Sequence, residues 1–471
     1  MSIKSNFFYN SLLTVSGYIF TLVSFPYINR VLGVENLGIC NFVDSIISYF
    51  LLFANMGINT IGVLEISKNK SHPEKINTIF SSLFILNLIF TLLVIFFLLV
   101  AVFFIPHLNQ YFDYFLIGLI KLVFSLFLID WLFQGLQNFK VISLRSIIIK
   151  LIFTILIFLL IKDKSDTSLF YLLSCLMVVL NGIYNIYYSR KFVKFSLKFV
   201  KLKLYLKAFI IFGLNKVFIS FYTTMLIIML GFLANNSMVG YYTTVTKLFA
   251  IIIALFTSLT TVIIPKLNTL LYTKQVFEVN KLVKKNVVII YTLTIPIIIF
   301  TLFYSDIIIN ILAGSEFEYS NQILKIIIPL VLVIGLSQVY SQQLLTIINR
   351  EALLKTTFCG CLISIPLAFI LINQYNAIGA AYTWLLVEII ILIISIVFVR
   401  KEIRVFLFDR DIFYILLNSV PYVLVSWIGL SFSNIILKLA FVIGVSLVYF
   451  IISQVYFLKS SSFINILKSK F

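Results

Sequence analysis

Seven ionisable side chains interrupt long apolar runs of this sequence and are the first candidates for chemistry. They are Asp44, Lys121, Asp130, Lys216, Lys247, Lys325 and Glu388. A charge near the centre of a bilayer costs about 2.5–3.5 kcal/mol on insertion scales, so such residues usually pair with each other or contact a ligand. A lysine amine binds phosphate as a point charge. The residue types therefore predict a site for a phosphate-bearing ligand within a membrane.

The composition places these residues in a polytopic membrane protein. The 471 residues are 62% hydrophobic and 11% charged, with a mean hydropathy of +1.12, whereas soluble domains are about 45–50% apolar and about 25% charged. No GxxxxGK[ST] pattern occurs, so ATP hydrolysis by a P-loop is not expected. His72 and His107 are the only histidines, and the four cysteines lie in or beside apolar runs. We therefore expect no metal site, no disulfide and no enzymatic activity.

Fourteen stretches are long and apolar enough to cross a bilayer as helices. The predicted spans are 8–32, 38–64, 78–105, 112–134, 142–162, 168–189, 208–233, 238–264, 287–304, 321–348, 353–373, 377–399, 412–431 and 434–457. A short segment near 306–312 is predicted to be re-entrant or interfacial. No cleavable signal peptide is expected, so the first span is predicted to stay as an anchor.

The distribution of lysine and arginine predicts the side of the membrane that each loop faces. With the N-terminus inside, 28 of the 36 basic residues fall on the inside, and Arg145 and Lys150 are counted among them. Four fall outside, namely Arg30, Lys162, Lys164 and Lys438. Both termini are therefore predicted to be cytoplasmic. The net charge of +19 would then face anionic lipid and does not indicate nucleic-acid binding.

Short motifs recur in the same order in two parts of the chain, as in many transporters built from repeats. The pairs are LeuGly 32–33 with LeuGly 230–231, Gly38 with Gly240, Lys121 with Lys325, Gln134 with Gln338, and Arg190-Lys191 with Arg400-Lys401. We predict a first lobe at 1–190 (spans 1–6) and a second at 208–401 (spans 7–12), with a central cavity. Residues 402–471 would hold spans 13 and 14 and a cytoplasmic tail.

The segment between the predicted lobes, 191–207, has the pattern of a basic amphipathic helix. Lysines at 191, 194, 198 and 201 share one face of such a helix, and Phe192, Phe195, Phe199 and Leu202 lie beside it. This arrangement is typical of a helix at a membrane surface. The alternative is a solvated basic linker without helical structure.

Two predicted spans carry a polar stripe. On the first, Asn10, Thr14, Tyr18, Thr21 and Ser24 recur at helical spacing; on the seventh, Lys216, Ser220 and Thr223 do so. Such a face points to a cavity or to another helix. A cavity between the lobes would need both stripes, while hydrogen bonding between helices without a cavity is the alternative.

The deepest charges predict a cationic site in this cavity. Lys216 and Lys247 lie well inside their spans, and the alignment of Gly38 with Gly240 brings Asp44 to an equivalent depth as a balancing charge. Lys121 and Arg30 are further candidates for contact with the ligand. An internal ion pair without a ligand is the alternative. Lys325 lies near a helix end, where its amine can reach the interface. Glu388 is either a carboxylate that couples to a cation or a structural acid.

The stretch FLIDWLFQGLQNFK ends the fourth predicted span with Asp130, Trp131 and Gln134. Tryptophan is enriched where a membrane meets water, so we place this group at headgroup level. Asp130 is predicted to hold the following loop against Lys140 or Arg145, as a structural and not a ligand-binding residue.

Two motifs resemble one known family. FPYINRVLGVENLG (25–38) resembles the opening signature of the Wzx-type polysaccharide-biosynthesis flippases, the transporters of O-antigen and capsule repeat units. DWLFQGLQNFKVISLR (130–145) resembles the motif after that family's fourth span. The family usually has an acidic residue where this chain has Gln137, which leaves the role of that position open. The resemblance covers nearly the whole chain and extends to the superfamily of multidrug and oligosaccharidyl-lipid exporters.

The resemblance implies a MATE-like pair of six-helix lobes with a further pair of helices. It implies translocation of undecaprenyl-diphosphate-linked oligosaccharide to the outer leaflet of the bacterial inner membrane by alternating access. Membrane lipids, a polysaccharide polymerase and a chain-length regulator are the implied partners. No cofactor is implied, apart from H⁺ or Na⁺ as a coupling ion.

Other functions fit the same composition less well. A drug or cation exporter of this fold would favour anionic pockets, and a lipid II flippase would share the head-group chemistry. A membrane oligosaccharide polymerase would carry large outside loops with basic residues, which this chain lacks. A channel would need a filter-like loop, and none is apparent.

Overall fold

The structure is a computed structural model that describes residues 3–196, 200–407 and 409–454. These residues contain helices and no β-strand. The helices of the first half are α1 (Ile3–Asn55), α2 (Ile58–Lys68), α3 (Pro73–Phe104), α4 (Pro106–Asn109), α5 (Phe112–Ser125), α6 (Asp130–Gly135), α7 (Phe139–Leu160) and α8 (Thr167–Ser189).

The second half continues the pattern of long apolar helices joined by short connections. Its helices are α9 (Leu202–Phe221), α10 (Thr224–Leu233), α11 (Asn236–Tyr272), α12 (Val276–Leu312), α13 (Ser320–Ile327), α14 (Leu330–Ser337), α15 (Thr346–Ile348), α16 (Arg350–Val399), α17 (Arg410–Leu417), α18 (Val420–Gly429) and α19 (Ile435–Ile452). A π-helix, Gln338–Leu345, joins α14 to α15.

Among the described residues, twelve helical segments are long and apolar enough to cross a membrane. Two of them, Phe8–Lys68 and Arg350–Val399, are long enough for two crossings each. The backbone leaves helical geometry within each, at Gly33 (φ 74°) and at Asn376 (φ 51°). Both breaks coincide with predicted boundaries between spans. The prediction of an all-α polytopic protein is therefore confirmed, and the segments agree with about fourteen crossings.

The segment near 306–312 is helical and follows a break of helical geometry at Tyr304 within α12 (φ −121°, ψ 19°); that it is re-entrant or interfacial stays a prediction. The assignment of Arg145 and Lys150 to an inside loop is wrong, because both lie within α7, as they do within the predicted span 142–162. The fourteenth predicted span and the tail extend past residue 454, outside the described residues.

The predicted amphipathic helix at 191–207 is also wrong. Residues 194–196, 200 and 201 are not helical, and α9 begins only at Leu202. Positions 197–199, which include Lys198 and Phe199 of the predicted faces, lie outside the described residues.

Side chains of α3 hold this connection instead. The backbone N–H groups of Lys194 and Ser196 donate to Asn77 Oδ1 (2.7 Å) and Ser81 Oγ (3.1 Å), and that of Lys201 donates to Ser82 Oγ (2.8 Å). Donors that a helix would satisfy internally thus find partners on a neighbouring helix.

A similar connection follows α16. The backbone N–H of Arg404 donates to Asn280 Oδ1 (3.1 Å) on α12, and that of Phe406 donates to the Tyr340 hydroxyl (3.1 Å). Lys284 of α12 also forms ion pairs with Asp409 (2.7 Å) and Asp411 (2.9 Å). After each of the two predicted lobes, a backbone N–H group of the connection thus donates to an asparagine of a neighbouring helix.

The chain divides into two compact units. The first comprises Met1–Thr244, Leu312–Phe317 and Cys361–Ala380; the second comprises Val245–Ile311, Glu318–Gly360 and Ala381–Phe471. The predicted lobes at 1–190 and 208–401 and the linker between them stay a prediction.

A reciprocal contact inside the first unit follows the predicted repeat register. A β-carbon added to Gly38 would overlap the carbonyl oxygen of Asn236, and one added to Gly240 would overlap that of Val34. Position 34 is related to 236, and 38 to 240, by the same offset of 202 residues. Glycine is required for so close an approach of two backbones.

One further hydrogen bond, from Asn41 Nδ2 to Thr243 Oγ1 (2.8 Å), joins residues with the same offset. The crossing of α1 and α11 therefore has local twofold pseudosymmetry, as the alignment of Gly38 with Gly240 leads one to expect.

We predict that Gly38→Ala lowers the thermal stability of the purified protein in detergent. The added methyl group meets a backbone oxygen that cannot rotate away, and overpacking of this kind costs about 1–3 kcal/mol. Gly444→Ala is the matched control, because no heavy atom lies within 4 Å of its added β-carbon. Equal unfolding midpoints for the two variants would contradict the assigned close packing.

Candidate functional site

Asp44 of α1 forms an ion pair with Lys121 of α5 in the first unit. The amine lies 2.5 Å from the carboxylate, and the Tyr171 hydroxyl of α8 lies 3.5 Å from the same oxygen. The side chains of Lys121 and Asp44 are 19% and 37% exposed. The prediction that Asp44 balances the lysines of the second lobe is therefore wrong, since its cation comes from its own lobe. Lys121 is correspondingly a paired residue.

Asp130 belongs to a second polar network, at the interruption between α5 and α6. Arg145 Nη2 of α7 lies 3.0 and 3.3 Å from the two carboxylate oxygens. Asn185 of α8 donates to Asp130 Oδ1 (3.0 Å) and to the Phe127 carbonyl (3.2 Å), and Arg145 also donates to Asn185 Oδ1. The anticipated contact between Asp130 and Arg145 is present. It joins three helices where α5 ends, as a structural role requires.

Trp131 is buried between helices. Its side chain is 2% exposed and packs in a cluster with Phe80 of α3 and the residues of α2. A β-carbon added to Gly62 would overlap the indole ring. Neighbouring helices thus cover the apolar area of the ring, and its placement at headgroup level stays a prediction.

Gln134 and Gln137 belong to the turn that ends α6. Gln134 is half-buried, and its carbonyl oxygen accepts the N–H of Gln137 (2.9 Å). Gln137 has a left-handed backbone (φ 59°) and is exposed. This position therefore shapes the turn before α7.

The polar stripe of α1 is largely accessible. Thr14 and Thr21 are exposed, Tyr18 is half-buried and Ser24 is buried. The hydroxyls of Thr14, Thr21 and Ser24 donate to carbonyl oxygens one turn earlier on the same helix, at 2.9–3.0 Å. Among the described residues, these three hydroxyls donate to no other helix. These three hydroxyls therefore do not supply the alternative of hydrogen bonding between helices, and the cavity stays a prediction.

The stripe of α9 leads to an interruption of the helix. Lys216 is exposed, and Ser220 is buried with its hydroxyl bonded to the Val217 carbonyl (2.6 Å). Thr223 (φ −125°, ψ −83°) lies between α9 and α10. Interrupted helices recur at binding sites of transporters because they leave backbone groups available. No ion pair of Lys216 occurs within the described part of the chain.

The other basic residues singled out in the sequence lie on three different helices. Lys247 is exposed on α11 and belongs to the second unit, whereas Lys216 belongs to the first. Arg30 is exposed near the break of α1 and packs over Gly314 (φ 95°). Lys325 is exposed on α13.

Glu388 is the deeply buried acid of the second unit. It is 9% exposed on α16. No cation of the described residues forms an ion pair with it. A buried carboxylate is stabilised in its charged form by a nearby cation or by hydrogen-bond donors.

An apolar groove lies in the second unit between α12, α18 and α19. Its volume is about 360 Å³. The lining residues are Leu293, Pro296, Ile297, Phe300, Tyr422, Ser426, Ile443, Ser446, Leu447 and Phe450. The shape and lining suit a hydrocarbon chain. No pattern in the sequence indicates this groove, because apolar residues such as these occur on any lipid-facing or buried helix surface.

The apolar helices define a multi-pass membrane protein. The family model "Polysaccharide biosynthesis protein" matches residues 3–271, more than half of the chain. The chain therefore belongs to the polysaccharide biosynthesis protein family, which confirms the resemblance of its two motifs.

Two curated relatives carry the name "Putative O-antigen transporter". The protein of Escherichia coli (strain K12) is 26% identical over 406 residues, covering 85% of this chain and 98% of its own length. The protein of Shigella dysenteriae is 25% identical over 396 residues, covering 83% of this chain and 98% of its own. Both relatives are named as transporters, in agreement with the prediction that the chain is not an enzyme.

Solved structures share the fold. The lipid II flippase MurJ in an inward closed conformation matches with a TM-score of 0.75 and 19% identity, over 95% of this chain and 98% of that one. A multidrug resistance MATE family transporter in an inward-facing conformation matches with a TM-score of 0.66 and 12% identity, over 81% and 93% of the two chains. The MATE-like architecture is thereby confirmed.

We predict that Asp130→Ala destabilises the protein by about 2–3 kcal/mol, because Arg145 would stay buried without its carboxylate. The midpoint of thermal unfolding in detergent measures this loss. Glu351→Ala is the control, since its ion pair with Lys355 is exposed on one helix turn and should leave the midpoint unchanged. Similar midpoints for both variants would remove the structural role of Asp130.

Proposed function

We propose that this chain is a flippase for undecaprenyl-diphosphate-linked oligosaccharide repeat units. It moves them from the inner to the outer leaflet of the bacterial cytoplasmic membrane by alternating access, for O-antigen or capsular polysaccharide synthesis. Both termini face the cytoplasm in this proposal, as the distribution of basic residues predicts. Membrane lipids, a polymerase and a chain-length regulator are the proposed partners.

The observation that carries the proposal is the exposed amine of Lys216 inside a spanning helix of the first unit. This amine is the proposed contact for the diphosphate, and the hydroxyls of Thr14, Tyr18, Thr21, Ser220 and Thr223 in the same unit are the proposed partners for sugars. In the second unit, Lys247 is proposed as a further contact for the diphosphate. The groove between α12, α18 and α19 of that unit is the proposed place for a polyprenyl tail.

Glu388 is the proposed coupling residue. Asp44 already has Lys121 as its partner, whereas no ion pair of Glu388 occurs among the described residues. A proton or Na⁺ is the proposed coupling ion.

A lipid II flippase is the second candidate, since the fold of MurJ covers 95% of this chain. The family match and the relatives named for O-antigen transport favour the oligosaccharide substrate. A drug exporter shares the fold as well, but the exposed intramembrane lysines oppose cationic substrates.

A strain that lacks the gene tests the proposed function. Complete lipid-linked repeat units should accumulate in the inner leaflet, and no polymer should reach the surface. Normal sidedness and normal polymer, in a strain without a redundant transporter, would overturn the proposal. Drug sensitivity of the same strain would then test the exporter alternative.

We predict that Lys216→Ala and Lys247→Ala each abolish surface polysaccharide when they replace the native gene, because the diphosphate loses a cation. The amount of protein in the membrane should stay unchanged. Lys325→Ala is the control and should keep normal polymer. Normal polymer in both of the first variants would remove these lysines from the site.

A second prediction concerns the groove. Ser446→Trp places a large ring among the groove residues and should reduce surface polysaccharide at least tenfold without lowering protein level. Val448→Trp is the control, since Val448 lies on the same helix, is 58% exposed and does not line the groove. Equal polymer from both variants would show that the groove holds no part of the substrate.

A further inference from the structure

Lys150 is a charged residue near the middle of α7. It follows Phe139 by 11 residues and precedes Leu160 by 10, so it lies roughly 15 Å from either end of the helix. A lysine stem is too short to bring the amine to the interface from that depth. A cation in this position needs a partner within the membrane.

Two acidic residues inside the first unit's spanning helices already have partners. Asp44 pairs with Lys121, and Asp130 pairs with Arg145, which lies on α7 itself. No ion pair of Lys150 is present among the described residues. The Lys150 side chain is half-buried and not fully enclosed.

The amine lies against α1, which runs parallel to α7. The Ser143 hydroxyl donates to the Tyr9 carbonyl (2.7 Å) at one end of the seam, and the Tyr27 hydroxyl donates to the Ile161 carbonyl (2.6 Å) at the other. Between them, a β-carbon added to Gly17 would lie 2.8 Å from Lys150 Nζ. The absence of a side chain at Gly17 thus leaves room for the amine.

Hydroxyl groups surround this position on both helices. Thr14, Gly17 and Thr21 share one face of α1, with spacings of three and four residues, and Lys150 and Thr154 share one face of α7. Thr14 and Thr21 are exposed.

Most exposed apolar residues of α1 lie on another side of the helix. Leu12, Val15, Ile19 and Val23 are nearly opposite Thr14 and Thr21. The two exposed threonines thus belong to a polar face of α1 beside its contact with α7.

We propose that Lys150, beside the polar face of α1 that carries Thr14 and Thr21, binds an anionic group of the transported lipid-linked saccharide through its amine. The oxyanion belongs to the diphosphate or to a carboxylate on the sugar. This inference rests on the proposed function and adds to it a contact on the seam of α1 and α7, separate from Lys216 and Lys247.

Binding to the purified full-length protein in nanodiscs tests this site. The probes are undecaprenyl diphosphate, neutral undecaprenol, and undecaprenyl-diphosphate-linked glucose and glucuronate. Lys150→Gln should weaken binding of undecaprenyl diphosphate about tenfold or more, the effect of one charge-assisted hydrogen bond. Undecaprenol binding should not change. A loss confined to the glucuronate probe would also support the site and would assign the oxyanion to the sugar.

Three variants separate the role of the amine from folding. Lys150→Arg keeps the charge and should retain most of the binding. Gly17→Ala keeps the lysine but displaces its amine, so it should weaken binding several-fold even if Lys150→Gln fails to fold. Lys140→Gln removes an exposed charge at the start of the same helix and should bind like the wild type.

Two results would overturn the inference. Unchanged binding of all probes by folded Lys150→Gln or Gly17→Ala, with normal binding by the wild type, would overturn this site alone. No binding of any diphosphate probe by the wild type would overturn the proposed function and this site with it.

Discussion

The high cost of a charge in hydrocarbon organises the ionisable residues of this protein. Some charges are neutralised by the chain itself, and the two pairs in the first unit, Asp44 with Lys121 and Asp130 with Arg145, are of this kind. Other charges have no such partner among the described residues, and Lys150 and Lys216 are the clearest examples. The first group joins neighbouring helices, and the second is the proposed binding site for an anionic ligand.

Close backbone contacts set the positions of the helices that carry these charges. Lipid tails are as apolar as leucine, so helices in a membrane associate through tight packing and hydrogen bonds and not through the hydrophobic effect. The reciprocal contacts of Gly38 and Gly240 serve this purpose where α1 crosses α11. Gly17 of α1 has a related role, because the absence of a side chain there leaves room for the Lys150 amine. Small residues thus permit both the close packing of helices and the position of this amine between α1 and α7.

The sequence predicted those features that depend on local pattern. The number of spans follows from the length of apolar runs, and the register of Gly38 with Gly240 follows from recurring motifs. The contact of Asp130 with Arg145 was predicted because both residues flank one short loop. The partner of Asp44, the burial of Trp131 and the groove beside α19 depend on which helices are neighbours, and hydropathy contains no such information. The prediction of a helix at 191–207 is wrong for a related reason, since Asn77 and Ser81 on another helix accept hydrogen bonds from its backbone N–H groups.

Transport of an anionic lipid-linked saccharide is the central claim, and purified protein in liposomes tests it most directly. Liposomes would carry a fluorescent undecaprenyl-diphosphate-linked saccharide in both leaflets, and a membrane-impermeant reductant added outside would bleach the accessible fraction. We expect bleaching to proceed beyond the outer leaflet in minutes when the protein is present, and to stop near half without it. Bleaching that stops near half with the protein present, under every applied H⁺ or Na⁺ gradient, would show that the protein does not move this lipid.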